Sequence, residues 1–249
     1  MPISLLLANP WLQAIAVNTV LLAIAFLAPK KLLTPLGYLH AWLLGVIVWG
    51  CLGWQGYGVV MFYFLVGSGV TRIGLERKEV EGIAEKRSGQ RGPENVWGSA
   101  LTATICALLT LISTPDGYPL LILGYVASFS TKLADTTASE VGKAYGQRTF
   151  LITSLQPVPR GTEGAVSLEG TIAGIVASLL IALVAWGFGM INLWGIGLCA
   201  IAAFVATNIE SVIGATLQSR WSWLTNEVVN IINTLIGALL AMGLAWLLA

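Results

Sequence analysis

Ser128, Lys132, Asp135 and Ser139 recur at i, i+4, i+7 and i+11, which puts an ammonium, a carboxylate and two hydroxyls on one helix face. Such a face can hold a phosphate and a divalent cation. The same spacing also describes an ion pair at a helix end, with Lys132 reaching out to water. Downstream, PVPRGTEGAVSLEGTIAG (157–174) combines Arg160, Glu163 and Glu169 with Gly161, Gly164, Gly170 and Gly174, and Thr162 among them. Glycines let backbone N–H groups approach a phosphate, and a helix N-terminus adds partial positive charge. Carboxylates beside such a loop are candidate Mg²⁺ ligands, because Mg²⁺ in nucleotide sites takes one or two carboxylates plus phosphate oxygens. A flexible polar loop is the plain alternative. SEVGKAYG is not a Walker A loop, since the leading glycine is missing and Ala144 stands where a Ser or Thr is required.

Two C-terminal stretches add to the set. ATNIESVIGATLQSR places Asn208 and Glu210 at the end of an apolar run, where Glu210 is either a ligand or a solvated helix-end carboxylate. TNEVVNIINTLIGALL spaces Asn226, Asn230, Asn233 and Gly237 at i, i+4, i+7 and i+11. Asparagines facing lipid would leave amides unsatisfied, so this stripe must face other helices, as substrate ligands or as interhelical glue. Glu227 lies beside it. RGPENVWGS offers Arg91, Glu94 and Asn95, a weaker signal that also fits a simple helix start.

The elements carrying these residues are set by composition. Of 249 residues, 56% are hydrophobic and only 10% charged, with a mean hydropathy of +0.81. A soluble domain carries about 25% charged residues. The expected fold is an all-α polytopic membrane protein, a bundle of seven or eight transmembrane helices forming a single domain over 1–249. Spans are expected at roughly 11–28, 37–53, 57–71, 96–113, 118–134, 170–188, 193–209 and 228–248. Two cytoplasmic loops, about 72–95 and 135–169, are long enough to act. With eight spans all 13 Lys and Arg fall on one side, and the opposite loops hold only Asp116. The positive-inside rule makes the cationic side cytoplasmic and puts both termini outside.

Other chemistries are excluded. The net charge of +1 and the absence of a basic tail give no sign of a nucleic-acid partner. Cys51, Cys106 and Cys199 lie far apart inside apolar segments, so neither a disulfide framework nor a CxxC site is expected. His40 is the sole histidine, which rules against a zinc site or a Ser-His-Asp triad. MPISLLLANP lacks a basic n-region and a small-residue cleavage site, so it reads as a retained start.

DTTASEVGKAYG followed by GTEGAVSLEGTIAG resembles the membrane-bound phytyl-phosphate kinase family of plastids and cyanobacteria, and NIESVIGATLQ and TNEVVNIINT extend the likeness over nearly the whole chain. The patterns Asp135, Ala138, Ser139, Gly142, Lys143, Gly146 and Glu169, Gly170, Thr171, Ala173, Gly174 are also similar to those of CTP-dependent polyprenol and phytol kinases. The resemblance implies phosphorylation of an isoprenyl monophosphate to the diphosphate, with CTP or another nucleoside triphosphate and Mg²⁺, feeding tocopherol or phylloquinone synthesis. On that footing Asp135, Lys143 and Glu169 are catalytic, and Asp135, Glu163, Glu169 and Glu210 are metal ligands. Ser139, Gly142, Arg148, Arg160, Gly161, Thr162, Gly164 and Gly170 hold phosphates, while Lys132, Asn208, Asn226, Asn230 and Asn233 contact substrate. The partners are a lipid phosphate, a nucleotide and membrane lipids, with a possible homodimer. A secondary transporter and a CTP-dependent lipid cytidylyltransferase are the competing classes.

Overall fold

The computed structural model describes residues 9–29, 31–218 and 220–248. The retained start and Lys30 fall outside the described residues. Among the described residues eight α-helices follow in order: α1 (Pro10–Leu27), α2 (Pro35–Thr71), α3 (Leu75–Val80), α4 (Pro93–Leu109), α5 (Gly117–Tyr145), α6 (Leu168–Gly187), α7 (Leu193–Ile213) and α8 (Asn226–Leu247). Starts are specified locally. Pro10, Pro35 and Pro93 sit in first turns, and Asn9, Thr34, Ser167, Asn192 and Thr225 cap backbone N–H groups with their side chains.

Among the described residues five helices, α1, α2, α6, α7 and α8, are long and apolar enough to cross a bilayer, α7 counted with the π turn (Gly214–Gln218) that continues it. The chain is an integral α-helical membrane protein. α2 is two rods rather than one. On a straight helix Gly37 and Gly67 would lie about 45 Å apart, yet both abut Arg91, one at its carbonyl and the other at its guanidinium. The rings of Trp49 and Tyr57 also meet, with centroids 5.2 Å apart. The chain folds back at Gly53, whose φ of 66° lies in the left-handed region that a side chain resists. The expected second and third spans are these two arms.

α5 is the central helix. It packs against α2, α4, α6, α7 and α8, and Tyr125, Val126, Ala127, Ser128, Phe129, Ser130, Thr131 and Leu133 are all 0% exposed. A helix buried on every face needs no polar stripe, and the Ser128, Ser130 and Thr131 hydroxyls are small enough to be packed inside with the apolar residues around them. Its close approach to α6 depends on glycines. A Cβ on Gly170 would sit 2.5 Å from the Ala138 carbonyl oxygen, and one on Gly174 2.9 Å from that of Ala134.

The second polar loop is shorter than expected from the sequence. α5 stays helical past Asp135 to Tyr145, and a two-stranded antiparallel ribbon follows, β1 (Thr149–Leu151) with β2 (Ala165–Ser167), Phe150 opposite Val166. The ribbon's backbone bonds satisfy polar groups that a free loop would leave to water.

Candidate functional site

At the end of the bundle where the loops gather, α5 presents Lys132 and Asp135. The Lys132 Nζ donates to Asp135 Oδ2 at 2.6 Å and to Asn230 Oδ1, from α8, at 2.7 Å. Their side chains are 9% and 12% exposed. Charges this far from water persist only when paired and hydrogen-bonded. An ammonium carries three donors, so two fixed bonds aim the third at the space beside it.

That space is a cavity of about 600 Å³. α5 lines it with Lys132, Asp135, Ser139 and Lys143; α7 with Asn208 and Glu210; and α8 with Asn226, Glu227 and Asn230. The loops close it with Arg87 and Arg91 on one side and Gly161, Thr162, Glu163 and Gly164 on the other. Cations and carboxylates both line its wall, a combination that suits a polyphosphate with a bound cation.

The loops are fastened by ion pairs. Glu140 is fully buried and takes Lys78, from α3, and Lys143, the latter at 3.3 Å. Lys78 also donates to the Thr71 carbonyl at 2.8 Å, so the polypeptide entering the first loop is tied to α5. Arg160 forks onto both Glu81 carboxylate oxygens at 2.8 and 3.0 Å, joining the two loops to each other. Arg87 bonds Glu94 and Asn95. Its hydrogen bond holds the Glu94 carboxyl below its ordinary range, outside the membrane-spanning stretch. Arg91 Nη1 donates to Tyr63 Oη at 2.7 Å, and both side chains line the cavity.

The donor set fits Mg²⁺ held together with phosphate. Asp135, Glu163 and Glu210 bring carboxylates from three separate elements to one cavity. Glu163 Oε2 lies 3.8 Å from where a Cβ on Gly214 would sit, one turn beyond Glu210. Among the described residues no three His, Cys, Asp or Glu side chains gather tightly enough to hold a metal unaided. A cation there would need oxygens from its substrate, as Mg²⁺ in nucleotide sites does.

Residues 18–238 match the family described as integral membrane protein DUF92. The chain belongs to that family. The DUF92 chain is 67% identical to the membrane protein sll0875 of Synechocystis sp., over 96% of its own length and 92% of that protein. It is 42% identical to the chloroplastic protein VTE6 of Arabidopsis thaliana, over 94% of its length and 72% of VTE6. To the membrane protein MJ0933 of Methanocaldococcus jannaschii it is 30% identical over 83% of each chain. No solved structure matches it.

The DUF92 cavity gathers most of the residues given a site role in sequence and leaves four of those outside, while Ser128 of the opening face is buried in the bundle away from it. Glu169 sits in the first turn of α6 and accepts the Gln147 N–H at 3.3 Å, because the helix starts with its carboxylate turned toward the chain leaving α5. Arg148 is exposed on the ribbon side. Arg160 is committed to Glu81. Asn233 is wholly buried in the bundle, facing inward as its stripe requires, but below the cavity wall. Gly170 and Gly142 line the cavity, and both also serve close packing, with the Gly170 N–H taken by Ser167 Oγ at 3.1 Å. Among residues that sequence reasoning passed over, Glu140 had a signal: Lys132, Thr136, Glu140 and Lys143 fall at i, i+4, i+8 and i+11. Lys78 and Tyr63 had none, since their partners are distant in sequence.

Proposed function

We propose that this protein is a membrane-embedded phosphotransferase that phosphorylates an isoprenyl monophosphate, with phytyl phosphate as the expected substrate, using a nucleoside triphosphate, CTP for preference, and Mg²⁺. Its product would enter tocopherol or phylloquinone synthesis, and the likeness to VTE6, together with the sequence patterns shared with lipid kinases, supports that assignment. The observation that carries the reading is the Lys132–Asp135–Asn230 network opening onto a charged cavity at the end of apolar helices. A ligand with an anionic head and a hydrocarbon tail suits that junction. The charge distribution supports a cytoplasmic orientation for this end.

The acceptor is already an anion, so no strong base is required, and catalysis consists of positioning and charge neutralisation. An acceptor phosphate oxygen forms a bond to the γ-phosphorus as the bridging P–O bond to the β-phosphate breaks, and the nucleoside diphosphate leaves with that electron pair. Lys132 holds the acceptor phosphate with its third N–H. Lys143, fixed by Glu140 from one side, and Arg87 and Arg91 from the other, neutralise the triphosphate. Asp135, Glu163 and Glu210 would hold Mg²⁺, which supplies further charge neutralisation on the transferring group. The ribbon and the 72–95 loop shield the site from bulk water, strengthening each of these interactions.

The test is a purified, detergent-solubilised protein given labelled CTP or ATP with phytyl, geranylgeranyl and farnesyl monophosphates. Lipid diphosphate with released nucleoside diphosphate is expected. Pyrophosphate release would mean cytidylyl transfer, and no turnover with any donor would overturn the phosphotransfer reading.

A further inference from the structure

The cavity must admit a lipid, and one part of its wall differs from the rest. Ile175 on α6 and Phe204 on α7 line the cavity, are 37% and 45% exposed, and are flanked on the same helices by the exposed apolar side chains of Ile172, Val176, Ile201 and Val205. Gly174 and Ser178 also line the cavity on this stretch of α6, Gly174 against the backbone of α5 and Ser178 buried. Ser178 lies about 15 Å along α6 from Leu168, at 1.5 Å per residue. That is roughly half the depth of a bilayer's hydrocarbon core. The opposite wall is of another kind. There α4 and α8 present Ser99, which is 5% exposed, with Glu227 and Asn230, so a hydrocarbon chain would lie against a carboxylate and an amide.

We propose that the seam between α6 and α7 is a lateral port, through which the single hydrocarbon chain of an isoprenyl phosphate stays in the bilayer while its head reaches Lys132. This port rests on the phosphotransferase reading for its occupant. A closed wall would force the chain out of lipid and through a polar cavity, and every methylene so moved costs free energy. A port at Ile175 and Phe204 removes that cost. The head then meets cations inside the bundle, and the tail meets Ile172 and Val205, which are 53% and 36% exposed on the same two helices. Phe204 is the larger of the two lining side chains and sets the width of the opening.

Two measurements on the full-length protein in nanodiscs separate this port from the reaction it serves. The first is photolabelling with an alkyl monophosphate carrying a tail diazirine. Labelled peptides are expected within 172–179 and 201–208, protected by excess geranylgeranyl phosphate and not by geranylgeraniol. Label on α4 and α8, or label that the phosphate does not protect, would overturn the port. This arm requires no turnover, so a protein inactive as a kinase would sink the phosphotransferase reading without touching it. The second is kinetic: Ile175→Trp and Phe204→Trp should each raise KM for phytyl phosphate about tenfold, with KM for the nucleotide unchanged. Leu239→Trp, on the exposed face of α8 and away from the cavity, should change neither. Equal values in all three variants would overturn the port.

Discussion

Lys132 on α5 and Asn230 on α8, 98 residues apart in the chain, are joined by a 2.7 Å hydrogen bond at the cavity wall. The bond fixes the ammonium between α5 and α8, and it does so inside a low-dielectric bundle where an ill-placed charge is costly. Asn230→Leu should therefore lower kcat by about 10- to 100-fold, the equivalent of one hydrogen bond to a charged group. Asp135→Asn should lose far more, because Asp135 is both the ammonium's counter-ion and a proposed metal holder. Steady-state kinetics on folded, monodisperse protein decides between them, and an Asn230→Leu enzyme with unchanged kcat would remove the network from the mechanism.

The Lys78–Glu140 pair has both side chains essentially out of solvent. Lys78→Met leaves a buried carboxylate with only Lys143 beside it, and about 3–5 kcal/mol of stability should go. Replacing both partners, Lys78→Met with Glu140→Leu, should recover most of that loss, since an apolar pair of similar volume is tolerated. Unfolding in mixed micelles and protease sensitivity of the 72–95 loop measure the two outcomes. A double variant as unstable as the single would show that the pair does more than neutralise itself.

The α5–α6 crossing predicts a sharp difference between glycines. Gly170→Ala drives a methyl against the Ala138 carbonyl and should cost about 1–3 kcal/mol through displaced backbone. Gly243→Ala meets nothing within 4 Å and lies within α8, so it should leave stability unchanged or raise it by about 0.4–1 kcal/mol. Thermal unfolding of the two variants side by side is the measurement.

Glu169 belongs to the kinase-like sequence pattern, yet its carboxylate contacts the Gln147 backbone N–H rather than the cavity. Glu169→Gln, which keeps an acceptor there, should retain activity within about tenfold, against a loss of about a thousandfold or more for Asp135→Asn. Matching losses in the two variants would place Glu169 among the catalytic groups after all.

The fold-back at Gly53 makes a topological prediction. In a cysteine-free background, Trp54→Cys and Asp116→Cys should react with an impermeant maleimide from one side of the membrane, and Glu85→Cys from the other. Trp54 is 54% exposed beside the turn, so the reagent can reach it. If α2 crossed as one rod, position 54 would lie in hydrocarbon and stay unlabelled. This experiment counts the spans and shows which way the cavity opens.

Much of this was legible in sequence because a bilayer is a severe solvent. Twenty or so apolar residues in a row have few alternatives to a spanning helix. Helical spacing alone brought Lys132 and Asp135 to one face, and the inward direction of Asn230 and Asn233 followed from the impossibility of asparagine in lipid, with Asn226 exposed at the helix start. The ribbon at 149–167 was less visible. Its strands are three residues each, too short for a periodic pattern.

What the sequence determined by itself was the all-helical class, the location of the helix starts and the set of polar residues that had to avoid lipid. Which of those residues meet was decided only by the tertiary packing. Arg160 and Arg87 carry the same charge and lie in the same kind of loop, yet one is committed to Glu81 and the other lines the cavity. Lys78 reaches Glu140 across 62 residues, and Glu169 turns away from carboxylates it resembles in every local respect. Local patterns fix which face of a helix is polar. Partners come from how the helices cross, and here the crossing is set by glycines of α6 pressed against the backbone of α5.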